Sequence, residues 1–456
     1  MAQKKSVFLC KECGTQHMKW QGQCNGCKAW HSLVEESLET KKNPVWQTAS
    51  TPKIKSSPKK IREIQSEAEQ RITLPGKEFN RVLGGGLVKG SVLLLGGEPG
   101  VGKSTLMLQV ALRLHKKILY ISGEESLYQI KLRADRIVEK NESCYLYNES
   151  SLDSIFEKIP ELEPELIIID SIQTLQSDHL DSIPGTISQI RECAAQLIQF
   201  AKTSEIPVIL IGHITKDGQI AGPKLLEHMV DVVLQFEGDK NNLYRILRAH
   251  KNRFGSTREI GIYEMLNEGL KEVLNPSEHL LGSQTGLSGT AVAAALEGAR
   301  PLLIEVQALV SSAVYGTPQR SSTGYNTKRL NMILAVLEKR VGFKLATKDV
   351  FLNVTGGIQI NDPAIDLAVI IAVLSSNFDI PIPAKTCFCA EIGLAGEIRP
   401  VARTDQRINE AEKLGFKHIY VAADTAANPS SQKIKVHEFQ KIDRLVKAIF
   451  QESLDG

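Results

Sequence analysis

Short runs of consecutive apolar residues, each closed by turn-forming or polar residues, recur through the middle of the chain. They are Val92-Leu93-Leu94-Leu95, the apolar centre of Lys117 to Ser122, the run between Glu165 and Asp170-Ser171, and Val208-Ile209-Leu210-Ile211 after Pro207. Runs of this length without alternation read as strands buried on both faces. Between them the apolar positions take helical spacing, predicting helices from the loop after Leu95 to about His115, from Leu127 to Lys140, and from about Thr186 to Thr203. Strands alternating with helices predict an α/β protein whose sheet is doubly wound and mostly parallel.

The last third, from about Pro276, has its own pattern. Over Thr327 to Val341, the residues Leu330, Ile333, Leu334, Leu337 and Val341 fall on one helical face, with Lys328, Arg329, Lys339 and Arg340 near the ends. Val350 to Val354, a helix from Ala364 to Leu374, and Thr386 to Ile398 follow. The longest strongly apolar run, Leu367 to Leu374, is far too short to cross a bilayer.

Composition adds boundaries. A chain of 456 residues exceeds one core, and usual domain sizes suggest roughly three domains. Lys41 to Lys60 holds six Lys, three Pro and five Ser or Thr with no acidic residue, which reads as a flexible basic linker. The formal charge of +3 is too small to argue nucleic-acid binding, so any basic surface must be local. The first ten residues carry no apolar signal region, and a cytoplasmic protein without membrane association is expected.

Eight cysteines suit that compartment, because four of them form two Cys-x-x-Cys pairs, Cys10 with Cys13 and Cys24 with Cys27. Four thiolates complete the tetrahedral shell of Zn²⁺ and leave no position for water, so the site reads as structural. A redox dithiol would need a thioredoxin-like βαβ setting that this segment lacks. Gly14, Gly22 and Gly26 stand where tight knuckles are expected. Trp20 and Trp30 flank the site, either covering the knuckles or exposed to stack on bases or a partner.

The chemistry of the middle segment begins at Gly97-Glu98-Pro99-Gly100-Val101-Gly102-Lys103-Ser104, which fits G-x-x-x-x-G-K-[ST] without mismatch and opens into a helix at Thr105. Backbone N–H groups of such a loop cradle phosphate oxygens, aided by the helix dipole. Lys103 reaches the β and γ phosphates of ATP, and the Ser104 hydroxyl suits Mg²⁺. Asp170 closes a buried strand in the manner of a Walker B acid and suits the Mg²⁺ hydration shell. Glu124 and Glu125 follow the strand ending at Ser122, where a carboxylate can orient the attacking water; the alternative is that they cap the next helix. His213 and Thr215 end the next strand, as γ-phosphate sensors or as structural residues. Two loops, Gln173 to Ser188 and Lys216 to Lys224, lie at the same edge, and Arg248 to Gly255 forms a compact basic turn with one aromatic residue.

With those residues in hand, the chain resembles the bacterial RadA (Sms) family of recombination and repair ATPases, relatives of RecA. The carriers are Cys-x2-Cys-x10-Cys-x2-Cys, the P-loop, Ser122-Gly123-Glu124-Glu125-Ser126 and the pentapeptide Lys251-Asn252-Arg253-Phe254-Gly255. The resemblance implies a hexameric ring that translocates on single-stranded DNA, hydrolyses ATP, drives branch migration of branched recombination intermediates and works with a RecA-type recombinase. It implies Glu124 as the residue that activates water, and Lys251 and Arg253 as groups reaching a neighbouring subunit's nucleotide.

The last third looks like the proteolytic domain of Lon. Where Lon carries its nucleophilic Ser this chain has Asp362-Pro363-Ala364, and where Lon carries its Lys it has Pro400 to Asp405, with Asp405 at the position of the amine. A Ser-Lys dyad needs a hydroxyl and an amine, and Ala364 and Asp405 supply neither. The expected organisation is a zinc module at 1–35, a linker at 36–65, a RecA-like ATPase domain at 66–275, and a proteolytically inactive Lon-like domain at 276–456. Two other classes compete: a regulatory RecA-fold protein that assembles on ATP, and an active ATP-dependent protease.

Overall fold

The computed structural model describes residues 5–10, 15–26, 28–38, 71–137, 141–212, 224–238, 244–282, 286–313, 317–357, 359–423 and 433–454. Packing divides the chain into two compact units, Met1–Gly238 with Tyr244–Leu274, and Asp239–Leu243 with Asn275–Gly456.

In the first unit a nine-stranded sheet carries the P-loop. Its strands are β1 (Val92–Gly97), β2 (Ile118–Ser122), β3 (Cys144–Asn148), β4 (Leu166–Asp170), β5 (Val208–Ile211), β6 (Val232–Gly238), β7 (Tyr244–Asn252), β8 (Ile260–Leu266) and β9 (Gly269–Glu272). They run in the order β9-β8-β7-β6-β1-β5-β4-β2-β3. β6, β1, β5, β4, β2 and β3 are parallel, and β7, β8 and β9 extend one edge as an antiparallel meander. The helices are α1 (Lys103–Arg113), α2 (Leu127–Ala134), α3 (Leu152–Leu162), α4 (Ile187–Ser204) and α5 (Lys224–Met229).

The continuous apolar runs serve both faces. Leu93 and Leu95 pack with Met107 and Val110 of α1 and Ile130 of α2, whereas Val92 and Leu94 pack with Phe156 of α3 and Leu197 of α4. Every residue of β1, β2 and β4 is buried, as strands covered by helices on both sides must be. α2 stops at Ala134, short of the predicted Lys140, and residues 138–140 lie outside the described set.

The N-terminal segment forms a separate three-stranded antiparallel sheet of Lys5–Cys10, Gln16–His17 and Leu33–Leu38. Trp20 and Trp30 are 58% and 68% exposed, and the Trp30 ring lies 3.5 Å from where a Gly22 Cβ would stand, so Trp30 covers that knuckle while presenting the rest of its ring to solvent. The left-handed turns of this segment fall on Lys28 (φ 60°) and His31 (φ 52°), which composition alone did not indicate.

The second unit is a mixed seven-stranded sheet. Its strands are β10 (Thr290–Glu297), β11 (Arg300–Ser312), β12 (Arg320–Thr323), β13 (Lys348–Val354), β14 (Thr386–Cys389), β15 (His418–Ala422) and β16 (Lys435–Phe439), ordered β12-β13-β11-β10-β14-β15-β16. Helix α6 (Thr327–Val336) gives way to a wider turn over Leu337–Val341 that ends at Gly342, φ 90°. Leu330, Ile333, Leu334 and Leu337 are buried as the stripe predicts, but the widened turn rotates Val341 to a half-buried position. Helix α7 (Asp366–Phe378) is buried on all sides from Asp366 to Ser375. The stretch from Thr386 to Ile398 is not one strand: after β14, Glu391–Ile392 pairs with Ile398–Arg399 across a turn containing Gly393 and Gly396. Helices α8 (Thr404–Lys413) and α9 (Ile442–Leu454) complete the unit. Among the described residues, no helix is long and apolar enough to cross a membrane.

Candidate functional site

The loop between β1 and α1 takes a conformation open mainly to glycine at two points, Gly100 (φ 79°) and Gly102 (φ 110°). At Gly97 a Cβ would lie 2.4 Å from the Phe236 carbonyl oxygen, so β6 presses on the loop from behind. Arg245 of β7, itself buried, donates from Nε to the Val101 carbonyl at 3.2 Å. Lys103 is only 4% exposed, and its Nζ donates to the carbonyl oxygens of Gly97 (2.8 Å) and Glu98 (2.9 Å). Burial lowers its pKa, while the charges of Asp170 and Glu124 oppose that shift. The loop therefore keeps a mobile cation on a short tether beside two carboxylates.

Those carboxylates come from neighbouring strands. Asp170 ends β4 opposite Ser122 of β2 and Ile211 of β5. Burial raises its pKa; hydrogen bonds from the Ser104 and Tyr120 hydroxyls work against this. Tyr120 donates to Asp170 Oδ2 at 2.8 Å. Next to it, the Ser171 hydroxyl donates to Glu124 Oε1 at 2.7 Å. Glu125 turns away into an ion pair with Arg133. Neither glutamate caps α2, because Ser126 does so in a reciprocal capping box with Gln129. Asn148 pins the turn by donating to the carbonyls of Ser122 (3.1 Å) and Glu125 (2.8 Å). At Gly123 a Cβ would meet the Thr174 hydroxyl at 2.4 Å. Lys103, Ser104, Asp170 and Glu124 thus converge at the C-terminal edge of the parallel strands, where a triphosphate and its metal fit.

The loop from Gln173 to Ser188 is tied down by buried Gln189, whose Nε2 donates to the carbonyls of Ser177, Leu180 and Ser182. His213, Thr215 and residues 216–223 lie outside the described set.

Lys251 and Arg253 sit elsewhere. β7 runs antiparallel to β6, so Arg245 pairs with Gly238 at the P-loop edge while Asn252 pairs with Val232 at the opposite edge. Lys251 Nζ donates to the carbonyls of Glu227, His228 and Val230, closing the C-terminal end of α5. Arg253 pairs with Asp231 at 3.0 Å and keeps 48% of its side chain exposed. Phe254 N–H donates to the Asn252 side chain, and Arg71 donates to the Phe254 carbonyl. Arg248 to Asn252 belong to β7 rather than to the expected compact turn, and only Arg253 to Gly255 bend away, separated from their own P-loop by the length of β1.

In the N-terminal segment Cys10 and Cys24 are buried, and Cys13 and Cys27 lie outside the described residues. The N–H of Gly26 points at Cys24 Sγ (3.3 Å), and His17 Nε2 lies 3.4 Å from the same sulfur. An N–H directed at sulfur suits a thiolate on a metal, so Cys24 fits a place in a Zn²⁺ site. His17 was not singled out by the motif, which counts only cysteines.

In the second unit, Ala364 is fully buried and Asp405 is exposed at the start of α8. Two residues outside each of these positions stand the members of a pair invisible to the motif: Arg407, 2% exposed, donates to Asp362 Oδ2 at 2.5 Å and to the carbonyls of Ala294 and Ala402. Asp362 also accepts the N–H groups of Leu296 and Ala364. Arg407→Met removes one partner of a buried pair and is expected to destabilise this unit by about 3–5 kcal/mol. Urea unfolding checks this; a loss below about 1 kcal/mol would show that Asp362 does not depend on the guanidinium.

A parallel sheet whose central strand opens into this loop, with acids at the ends of β4 and β2 on the same edge, defines a P-loop nucleoside triphosphatase core. Residues 58–219 match the model of an AAA domain, residues 8–35 a rubredoxin metal-binding domain, and residues 307–425 the ChlI subunit of Mg-chelatase. The chain belongs to the DNA repair protein RadA family. It is 49% identical over 430 residues to DNA repair protein RadA of Bacillus subtilis, covering 93% of each chain. It is 47% identical over 455 residues to the protein of that name from Streptococcus pyogenes serotype M3, covering 99% of this chain and 100% of the other. A KaiC-like protein of Pyrococcus horikoshii aligns at a TM-score of 0.38 and 17% identity, over 45% of this chain and 99% of that one.

Proposed function

We propose that the chain is a DNA-dependent ATPase of recombinational repair. In this reading a homo-oligomer, a hexameric ring, translocates on single-stranded DNA, promotes branch migration of branched intermediates and works with a RecA-type recombinase. The observation that carries the reading is the convergence of Lys103, Ser104, Asp170 and Glu124 at one strand edge. Residues Gly97 to Thr105 bind the phosphates, and Lys103 leaves the Gly97 and Glu98 carbonyls for the β and γ oxygens. Ser104 and Asp170 would hold Mg²⁺, whose charge would offset the negative charge that develops on the transferring phosphoryl group. Glu124, fixed by Ser171, orients the attacking water and receives its proton. A cavity of about 140 Å³ lined by Thr105, Arg133, Arg136, Met265 and Asn267 has the place and size for part of the nucleoside.

The test is phosphate release with and without single-stranded DNA, coupled to particle images. Stimulation by DNA and a closed ring are expected. Hydrolysis indifferent to DNA in a protein that binds partner proteins would favour the regulatory reading instead.

The ribbon is proposed to hold one Zn²⁺ on Cys10, Cys13, Cys24 and Cys27. Cys24→Ser should release one zinc per chain and unfold this module while the ATPase core stays folded, because so small a segment has little core of its own. Metal analysis and ATPase assays check both parts. Wild-type protein purified without chelator and free of zinc would end the assignment.

A further inference from the structure

We infer that Tyr120 is a positioning residue for the metal site: its hydroxyl fixes the Asp170 carboxylate in the orientation that Mg²⁺ requires. The inference rests on the ATPase reading and names a residue that the P-loop and Walker B motifs do not contain.

Tyr120 lies in the middle of β2, 1% exposed, within a cluster of aliphatic side chains that includes Ile118, Leu166 and Ile168. β2 and β4 are parallel neighbours in which Tyr120 faces Ile168 and Ser122 faces Asp170. The phenol therefore reaches its partner diagonally, one pleat along, within range of a long side chain. A Phe would fill the same volume without a polar atom that needs satisfying. The hydroxyl instead donates to Oδ2 of a carboxylate that is itself 5% exposed.

That geometry constrains Asp170 in a way that the strand cannot. The terminal torsion of an aspartate is broad and nearly two-fold, so backbone placement alone leaves the carboxylate plane undetermined. A charge-assisted hydrogen bond to one oxygen sets the plane, and Ser104 stands in the first turn of α1, where that helix meets the phosphate loop. Tyr120 holds the carboxylate from the core side, which directs its remaining acceptor capacity toward the phosphate loop. Partners of this kind typically alter metal affinity by roughly 10- to 100-fold when removed.

The experiment measures binding of a fluorescent ATP analogue to the full chain, titrated with Mg²⁺ and repeated in EDTA. Tyr120→Phe is expected to raise the half-saturating Mg²⁺ concentration by about 10-fold or more, with metal-free nucleotide binding within about twofold of wild type. A half-saturating concentration unchanged within twofold would overturn the inference, since a tyrosine that only fills the core would give that result. The double variant Tyr120→Phe/Asp170→Asn contains no buried charge short of a donor and guards against misfolding of the single variant. It should match Asp170→Asn alone in its Mg²⁺ dependence. A further loss in the double variant would also overturn the inference, because Tyr120 would then act on something other than Asp170. Wild-type protein whose nucleotide binding ignores Mg²⁺ would instead sink the ATPase reading on which the inference stands.

Discussion

Lys103→Ala is expected to abolish ATP hydrolysis, with a loss of at least about 10²–10³-fold in kcat. The ammonium is nearly inaccessible in the resting chain and is held by two loop carbonyls, which are neutral partners it can exchange for phosphate oxygens. Burial lowers its pKa, and Asp170 and Glu124 partly offset that shift. No other side chain of the loop offers a mobile positive charge where the transferring phosphoryl group accumulates negative charge. Backbone N–H groups remain, and weak nucleotide binding should survive. Single-turnover phosphate release, read beside nucleotide affinity, separates the two effects. A variant that hydrolyses ATP within a few-fold of wild type would remove the central claim.

Arg253→Ala should lower the rate by roughly 10³–10⁵-fold, the size expected of an arginine delivered to the phosphoryl group from a neighbouring subunit. Its own active site is out of reach. Asn252 pairs with Val232, which in turn pairs with Leu93, and from Leu93 to Gly97 the strand rises about 13 Å. Arg253 keeps 48% of its side chain exposed while pairing with the buried Asp231, so part of its guanidinium remains open to another anion. Lys251 would have to release three helix carbonyls to do the same, and its substitution is expected to loosen the end of α5 as well. Mixing Arg253→Ala chains with Lys103→Ala chains tests action in trans, because some interfaces then pair an intact P-loop with an intact arginine. Activity no greater than the sum of the two variants, in verified mixed assemblies, would leave Arg253 with a different role, such as contact with DNA phosphates.

Strands β1, β2, β4 and β5 were legible because they are buried on both faces and read as unbroken apolar runs, whereas β3 and β6 to β9, partly exposed along their length, were not. The P-loop was legible because its spacing is imposed by phosphate geometry. What could not be read were partners that are distant in sequence and ordinary in type. Tyr120 looks like one more apolar position in a strand, Asn148 like a strand end, and Arg245 like a charge on an edge segment. Each acquires its role only when strand order brings it beside Asp170, the Glu124 turn or Val101. The turn after α6 was missed for a different reason. A helical stripe is read with a fixed period, and the widened turn at Leu337–Val341 breaks that period without a Pro or Gly inside it. In the second unit the Lon comparison marked the missing hydroxyl and amine, but not Arg407, because the pairing with Asp362 spans 45 positions.

Strand β7 touches both of the places where substitution is expected to matter most. Arg245 near its start grips the phosphate loop of its own chain, and Lys251 near its end adjoins Arg253. It pairs with β8 from Tyr244 to Arg248 and with β6 along its length, apart from a bulge opposite Val233–Leu234, and spans nine residues, about 30 Å. If Arg253 engages a neighbouring subunit as proposed, this strand would act as a timing element: loss of the γ phosphate next door would free one end, and the other end would relay the release to the phosphate loop of its own chain. Hydrolysis would then pass from chain to chain in one rotational sense, a direction set by the polarity of a single strand.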